Sequence, residues 1–529
     1  NEYPRPAFIL ILALVFFVSL EWALMPLEPQ DPQPKSGDTL SLAFSMPIMS
    51  LDPYKLHYGA QDTLFPLIYS FLVTPLEKGD FAPDLAMRWW TDDEGKTWTF
   101  VLRPEAEFHD GRPVLASDAA YSIKRICESN SILNQALDKI ECPHPHRLVI
   151  RLKHRLPHFL YQLSLGPIVP RPRPGDEDLD QRPIGSGPFR VHFRDRDKRV
   201  VLSAFPGYFG VRPYLGAVDV RYIPDKEKIW IEFMTGQIQF CYAASPENIY
   251  FMRLEPDYYR LEGKIAKNAV LLLFNNQDPV FSDLRVRRAV ARALDVGRHI
   301  RLDLRGLARP CPGPLGAFSP FSPENAGPAS YDPKKVNQAL KKAGWIDHDQ
   351  DMYRDRAGKD FDFNLLMPLT FQIERETGVY IQRALNQFGI RARLVDKRYD
   401  RIINEDMRPG IFQACLTQHN TNPRLLHVLA MLWSSTGAGV GNFGRYKNER
   451  VDRALEKLPA MDKAEDYAGP LREIHEQLLA GQPAIWLYHK HEIHAYSRRL
   501  QGLDRPNPDF YITFPFRRAW LAPRQDLAH

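Results

Sequence analysis

The side chains best suited to chemistry in this sequence are its histidines and cysteines, and their spacing limits what they can do. Cys142–His146 reads CPHPH, with ligand types at alternate positions, and His489–His494 reads HKHEIH, an HxH overlapping an HxxH. A strand carrying HxH turns both rings to one face, which suits chelation of Ni²⁺ or Zn²⁺. Both runs, however, lie in segments that read as solvated strands, so no metal is expected at either. The cysteines are Cys127, Cys142, Cys241, Cys311 and Cys415, without a CxxC pair, which argues against a zinc ribbon or a redox dithiol. Their odd number leaves at least one thiol unpaired. Cys127 and Cys142 could bridge in an oxidising compartment, or the cysteines could be small buried hydrophobes; spacing leaves both open. No GxSxG, HExxH or phosphate-binding loop occurs, so no enzyme chemistry and no cofactor are expected.

The elements that must position these groups are those of an α/β protein. The 529 residues exceed one compact core, so two or three domains are expected. Hydrophobic residues make up 44% and charged residues 25%, as in ordinary globular proteins. A net charge of +5, spread without lysine/arginine blocks, offers no footprint for nucleic acid. The 45 prolines predict many loops. Thr39–Phe44, Trp98–Arg103, Leu148–Leu152, Val200–Ala204, Val218–Ile223 and Ala484–Tyr488 read as strands. Ser117–Ile126, Asp283–Leu294, Asp332–Ala343, Val379–Phe388 and Asp466–Leu479 read as helices. In Asp283–Leu294 the arginines are expected on the solvated face, with Val286, Ala289 and Val290 inward. At the N-terminus, Ala7–Met25 carries Glu21 as its only charge and would span about 28 Å as a helix. It lacks a good cleavage site, so an uncleaved signal anchor in the bilayer is expected, with Pro26–Gly37 as a proline-rich tether.

Several runs form a set more specific than any of its parts. Leu51-Asp52-Pro53 follows the first strand. GKTWTFVLRPEAEFHDGRPVLASDAAYSIKR spans Gly95–Arg125, IGSGPFRV Ile184–Val191, LLFNNQDPVFSDLRVRRAVARALD Leu272–Asp295, and YDPKKVNQALKKAGW Tyr331–Trp345. Asn442, GRYKNERVDRAL at Gly444–Leu455 and PAIWLYHK at Pro483–Lys490 follow. In order and spacing this set, over about Thr39 to Ala522, resembles the family 5 extracellular solute-binding proteins, which bind oligopeptides, dipeptides and nickel chelates. Most of these motifs are expected to build scaffold. Asp110-Gly111 supplies a tight turn, and Gly185 and Gly187 allow backbone geometry closed to other residues at a crossing between domains.

The resemblance implies a two-lobed, periplasmic-binding-protein-like II fold of the three-domain, oligopeptide-binding type. Residues 1–37 would be anchor and tether. Residues 38–70, 185–272 and 487–523 would form domain I, 71–184 domain II, and 273–486 domain III, the ligand-closing lobe. The function implied is capture of a peptide-like or other small solute on the periplasmic side of the inner membrane and delivery to the permease of an ABC importer. An accessory subunit that has lost transport is a second reading. Peptide-binding members hold the peptide amine with an aspartate shortly before an acid-proline pair. Here the matching stretch is CLTQHNTNPR, Cys415–Arg424, where Asn422-Pro423 replaces that pair and His419 stands in the aspartate's place. Thr417, Gln418, His419, Asn420 and Asn422 are therefore expected to line the site, facing His57, Tyr58 and Gly59 on the opposite wall. Without an amine partner the site should prefer a neutral or anionic solute, and the two histidines should hold an anion more strongly as pH falls from about 7 to 5.5.

Overall fold

The alternation of TLSLAF makes Thr39–Phe44 the first strand, β1, with Leu40 and Leu42 fully buried. The computed structural model describes residues 36–522 except 46, 49, 56–59, 77–79, 130, 157–158, 175, 177, 197, 243, 245, 257, 318, 320, 323–326, 370–371, 422–425, 438–440, 459–463 and 504–515. The expected anchor, Ala7–Met25, lies outside these residues, as do His57, Tyr58, Gly59 and Asn422. Among the described residues no helix is long and apolar enough to cross a membrane.

A small antiparallel sheet is built from β2 (Ala86–Asp92), β3 (Thr97–Leu102), β4 (Leu137–His144) and β5 (Arg147–Leu152), in the order β2-β3-β5-β4. The helix Ala116–Ser129 backs it, burying Ala119 and Ile123 against Phe100 and Ile150. Apart from three two-stranded pairs, the further strands are β6 (Phe189–Asp195), β7 (Arg199–Ala204), β8 (Ala217–Tyr222), β9 (Phe240–Cys241), β10 (Tyr259–Phe274), β11 (Ala308–Pro310), β12 (Asp362–Pro368), β13 (Arg391–Lys397), β14 (Ala414–Asn420) and β15 (Ala484–Ser497). With β1 they form one sheet in the order β13-β12-β14-β10-β15-β9-β1-β8-β7-β6, and β11 joins β15. One core surrounds β1 and β8, another surrounds β12 and β14, and the long antiparallel strands β10 and β15 run from one to the other. Their ladder breaks once severely: Ile265 pairs His491 but Ala269 pairs His489, leaving 266–268 opposite a single residue. Such a bulge bends a strand and loosens its pairing.

The helices follow their caps. Asp283 accepts the Arg285 N–H at 2.8 Å ahead of Leu284–Ala293, and Asp332 accepts the Lys335 N–H at 3.1 Å ahead of Pro333–Lys342. Gly344, at φ +84°, ends the latter. One expectation fails. Arg287 is buried rather than solvated, and its guanidinium donates to the carbonyls of Phe281, Ser282, Gly481 and Gln482. It thereby satisfies carbonyls at the C-terminus of the helix Ala468–Gly481, groups with no partner inside their own helix. The DG turn forms, with Gly111 at φ +82° donating to Phe108 O. Gly185 and Gly187 act differently from expectation. Neither needs a positive φ; they permit close approach, since a Cβ would lie 1.9 Å from Ile68 O at Gly185 and 2.6 Å from Ile68 C at Gly187. All five cysteines are free thiols, Cys142 exposed and Cys127 buried.

Candidate functional site

The expected residues of one wall lie on β14, which pairs with β10 so that Thr417 faces Leu271 and His419 faces Ala269. Successive residues alternate across the sheet. Cys415, Thr417 and His419 therefore share one face, while Leu416, Gln418 and Asn420 share the other, so the expected set is split. On the first face Cys415 joins a core that also contains Leu72, Phe100 and Ile168 of the smaller-sheet region and Trp433 and Trp486 of the other lobe. This is the face that looks across to the opposite lobe.

His419 is buried there, with Trp433 edge-on at a ring separation of 5.7 Å. Its Nδ1 is shielded from solvent and meets no hydrogen-bond partner among the described residues. Burial pushes its pKa down to about 4, because a charged ring would lose its hydration. The ring is neutral across the physiological range, which corrects the expectation of protonation between pH 7 and 5.5. Thr417 lies beside it, its hydroxyl 3.4 Å from the Tyr399 hydroxyl. A neutral imidazole can offer one N–H and one acceptor, so this wall suits a hydrogen-bonding solute without a cationic head.

Ala269 pairs with His419 on one side and with His489 of β15 on the other. The two imidazoles thus stand on the same face of the sheet, flanking a methyl group. His489 is fully buried, so HKHEIH is no solvated strand. Its Nδ1 lies 3.0 Å from Ala266 O, and its Nε2 lies 3.2 Å from the Ala317 N–H. The carbonyl can only accept, so Nδ1 carries the proton and Nε2 accepts from Ala317. Both nitrogens are engaged, which leaves none for a metal shared with His491. Thr421 donates its N–H and hydroxyl to Lys267 O. His489 and Thr421 thus brace the bulge at 266–268. Burial lowers the His489 pKa to about 4. Sequence reasoning put His489 on a solvated strand; the signal of its burial was direct continuity with the buried run AIWLY.

The opposite wall is fixed up to its last described residue. Asp52 accepts the Tyr54 N–H at 3.0 Å, Tyr54 donates its hydroxyl to Pro167 O at 2.5 Å, and Tyr69 donates to Leu51 O at 2.7 Å. The Arg125 guanidinium lies 4.8 Å from the Tyr54 ring centre. The chain therefore enters 56–59 from a rigid turn. The lobes also touch directly: Val428, on the helix Leu426–Trp433, packs against Tyr161, which Phe81 and Leu165 also flank.

Comparisons with known proteins bear on the fold and the family. The oligopeptide-binding protein AppA of Bacillus subtilis is 24% identical over 477 residues, covering 86% of each chain. The nickel-binding periplasmic protein of Escherichia coli is 25% identical over 373 residues, 68% of this chain and 71% of its own. The solved structure of Bacillus subtilis AppA in complex with a nonapeptide superposes with a TM-score of 0.81 at 23% identity, covering 93% of this chain and all of that one. The fold is accordingly the two-lobed α/β fold of periplasmic binding proteins. The family model for bacterial extracellular solute-binding proteins, family 5 Middle, matches residues 80–440. With well over half its length matched by that model, the chain belongs to family 5 of the bacterial extracellular solute-binding proteins.

Proposed function

We propose that this chain is an extracytoplasmic receptor that closes two lobes around a small hydrogen-bonding solute without a free amine and presents it to the permease of an ABC importer. Family membership supports the class. The observation that carries the solute preference is His419, buried and neutral where peptide-binding relatives are expected to hold an amine with an aspartate. A buried ammonium beside it would gain no counter-charge and would keep its desolvation cost. His57, Tyr58, Gly59 and Asn422 complete the site in this reading, with Thr417 beside His419. Gln418 and Asn420 lie on the other face of β14 and belong to the scaffold behind it. The bulged strands β10 and β15 support a hinge at 266–268. They also support a domain I of 38–70, 185–272 and 487–523, an inserted domain II of 71–184, and a closing domain III of 273–486. The protein binds and releases without catalysis, and Ala7–Met25 holds it on the periplasmic face of the inner membrane.

Native mass spectrometry of the purified protein, followed by calorimetry with ordinary and amine-blocked di- and tripeptides, tests the reading. Binding of blocked peptides or carboxylate-bearing compounds, lost in His419→Ala, is expected. Micromolar binding of an unblocked peptide, undiminished in His419→Ala, would overturn the preference. The apolar contact of Val428 with Tyr161 favours a second reading, a permanently closed accessory subunit. That reading predicts no solute and no change in radius of gyration under any ligand.

A further inference from the structure

We propose that the outer face of the helices Lys226–Met234 and Pro246–Leu254 is a contact surface for the lipid bilayer. This inference rests on the reading of Ala7–Met25 as a membrane anchor.

Both helices cover the same side of the sheet. Ile229 and Phe233 of the first and Ile249 and Met252 of the second share a core with Ala43, Cys241 and Ala495. With those positions turned inward, the outward positions of a surface helix should be polar. Instead Ile231, Tyr250, Phe251 and Leu254 are 57%, 64%, 55% and 61% exposed, and Met234 and Tyr258 are exposed as well. Single exposed apolar residues need no explanation, but a group confined to one layer marks a contact surface. Aromatic rings with leucine and isoleucine are the side chains that settle at the boundary of headgroups and acyl chains. The charges around them, Glu227, Lys228, Arg253 and Glu255, balance in sign. Attraction therefore comes from apolar insertion and does not require anionic lipid.

The bilayer is the occupant because of where the chain enters the fold. Gly37 donates to Tyr214 O just before β1. Gln239, past the end of the first helix, donates to Ser41 O near the start of β1. Ser497 pairs with Tyr259 and donates to Gln239 O, so the end of the second helix reaches the same edge. Met234, Leu254 and Tyr258 thus lie at the end of the molecule where the tether joins. The 11 residues from Pro26 to Ser36 reach at most about 40 Å, which keeps this edge close to the membrane holding Ala7–Met25.

The test uses the full chain in phosphatidylcholine vesicles, with p-benzoylphenylalanine replacing Phe251 or, as a control on the other lobe, the exposed Ile411. Both sites are on the surface, so neither replacement disturbs a core. Illumination should add the mass of one phospholipid at 251 and not at 411, to the same extent when phosphatidylglycerol is included. Adducts at 251 only to a second copy or to co-reconstituted permease, or no adduct, would overturn the surface. Carbonate extraction of the same vesicles reads the anchor separately. Retained protein without a lipid adduct at 251 overturns the surface and leaves the anchor; released protein that carried the adduct does the reverse. Released protein without it overturns both.

Discussion

Acid should unfold this protein through its buried histidines. His109, His419, His475 and His489 are each held at a pKa of about 4 by burial, against about 6.5 for an exposed ring. The folded value is depressed, so the native form is neutral and the unfolded chain binds protons that the native one refuses. Their contribution is complete above pH 6.5 and is lost as pH falls toward 4. Between pH 7 and 5 each ring costs about 2 kcal/mol, and the four together about 7. That is comparable with the roughly 5–15 kcal/mol that holds a domain folded. Calorimetric melting at pH 7, 6 and 5, alongside NMR titration of the histidine rings, measures it. Midpoints should fall steeply below pH 6.5, less so in His419→Gln, and the His419 resonance should stay neutral down to pH 5. A His419 ring titrating near 6.5 in the folded protein, or an unchanged pH slope in the variant, would refute the argument.

Three further outcomes are expected. Gly185→Ala sets a Cβ against Ile68 O and disturbs the bond from the His109 N–H to Gly185 O; it should cost about 3 kcal/mol, visible as a lowered melting midpoint. Arg287→Met strips the donor from four carbonyls and should cost about 3 kcal/mol or more in urea unfolding; Arg287→Lys should not restore it, because one ammonium cannot span the fork. Thr377→Val should cost about 2 kcal/mol by the same assay. Asp303 fixes the proton on His299 Nδ1, so the Thr377 hydroxyl donates to Nε2 at 3.0 Å and accepts from Tyr488 at 2.6 Å, and valine can do neither.

Much of this was legible in the sequence because local chemistry and tertiary role coincide there. Asp283 and Asp332 cap the helices expected of them, and AIWLY is the buried strand it looks to be. The resemblance carried the lobes, which no periodicity could have shown. The misses share a cause. Arg287, His489 and Gly185 each owe their role to a partner far along the chain: carbonyls near 481, the bulge at 266, and the carbonyl of Ile68. A lone arginine or histidine reads as solvated until that partner is known. His419 stood out in the sequence as a replacement, but its place on β14 and its neutrality depend on pairing with β10 and on burial beside Trp433, which no spacing encodes.

The two long strands impose an order on how the molecule is made. β10 ends at Phe274, yet its antiparallel neighbour β15 begins at Ala484, and β9 also pairs with β15. A chain emerging vectorially from a ribosome or a translocation pore therefore presents the edges of β10 and β9 for the whole interval in which some two hundred residues are still to come. Neither half can complete its sheet until the last tenth of the polypeptide arrives. Contacts this distant in sequence form slowly, and unpaired strand edges aggregate while they wait. The same pair of strands that joins the lobes in the finished protein makes its biogenesis dependent on being held unfolded to the end, so a premature stop anywhere before residue 484 should leave an aggregation-prone fragment, even though most of both lobes has been synthesised.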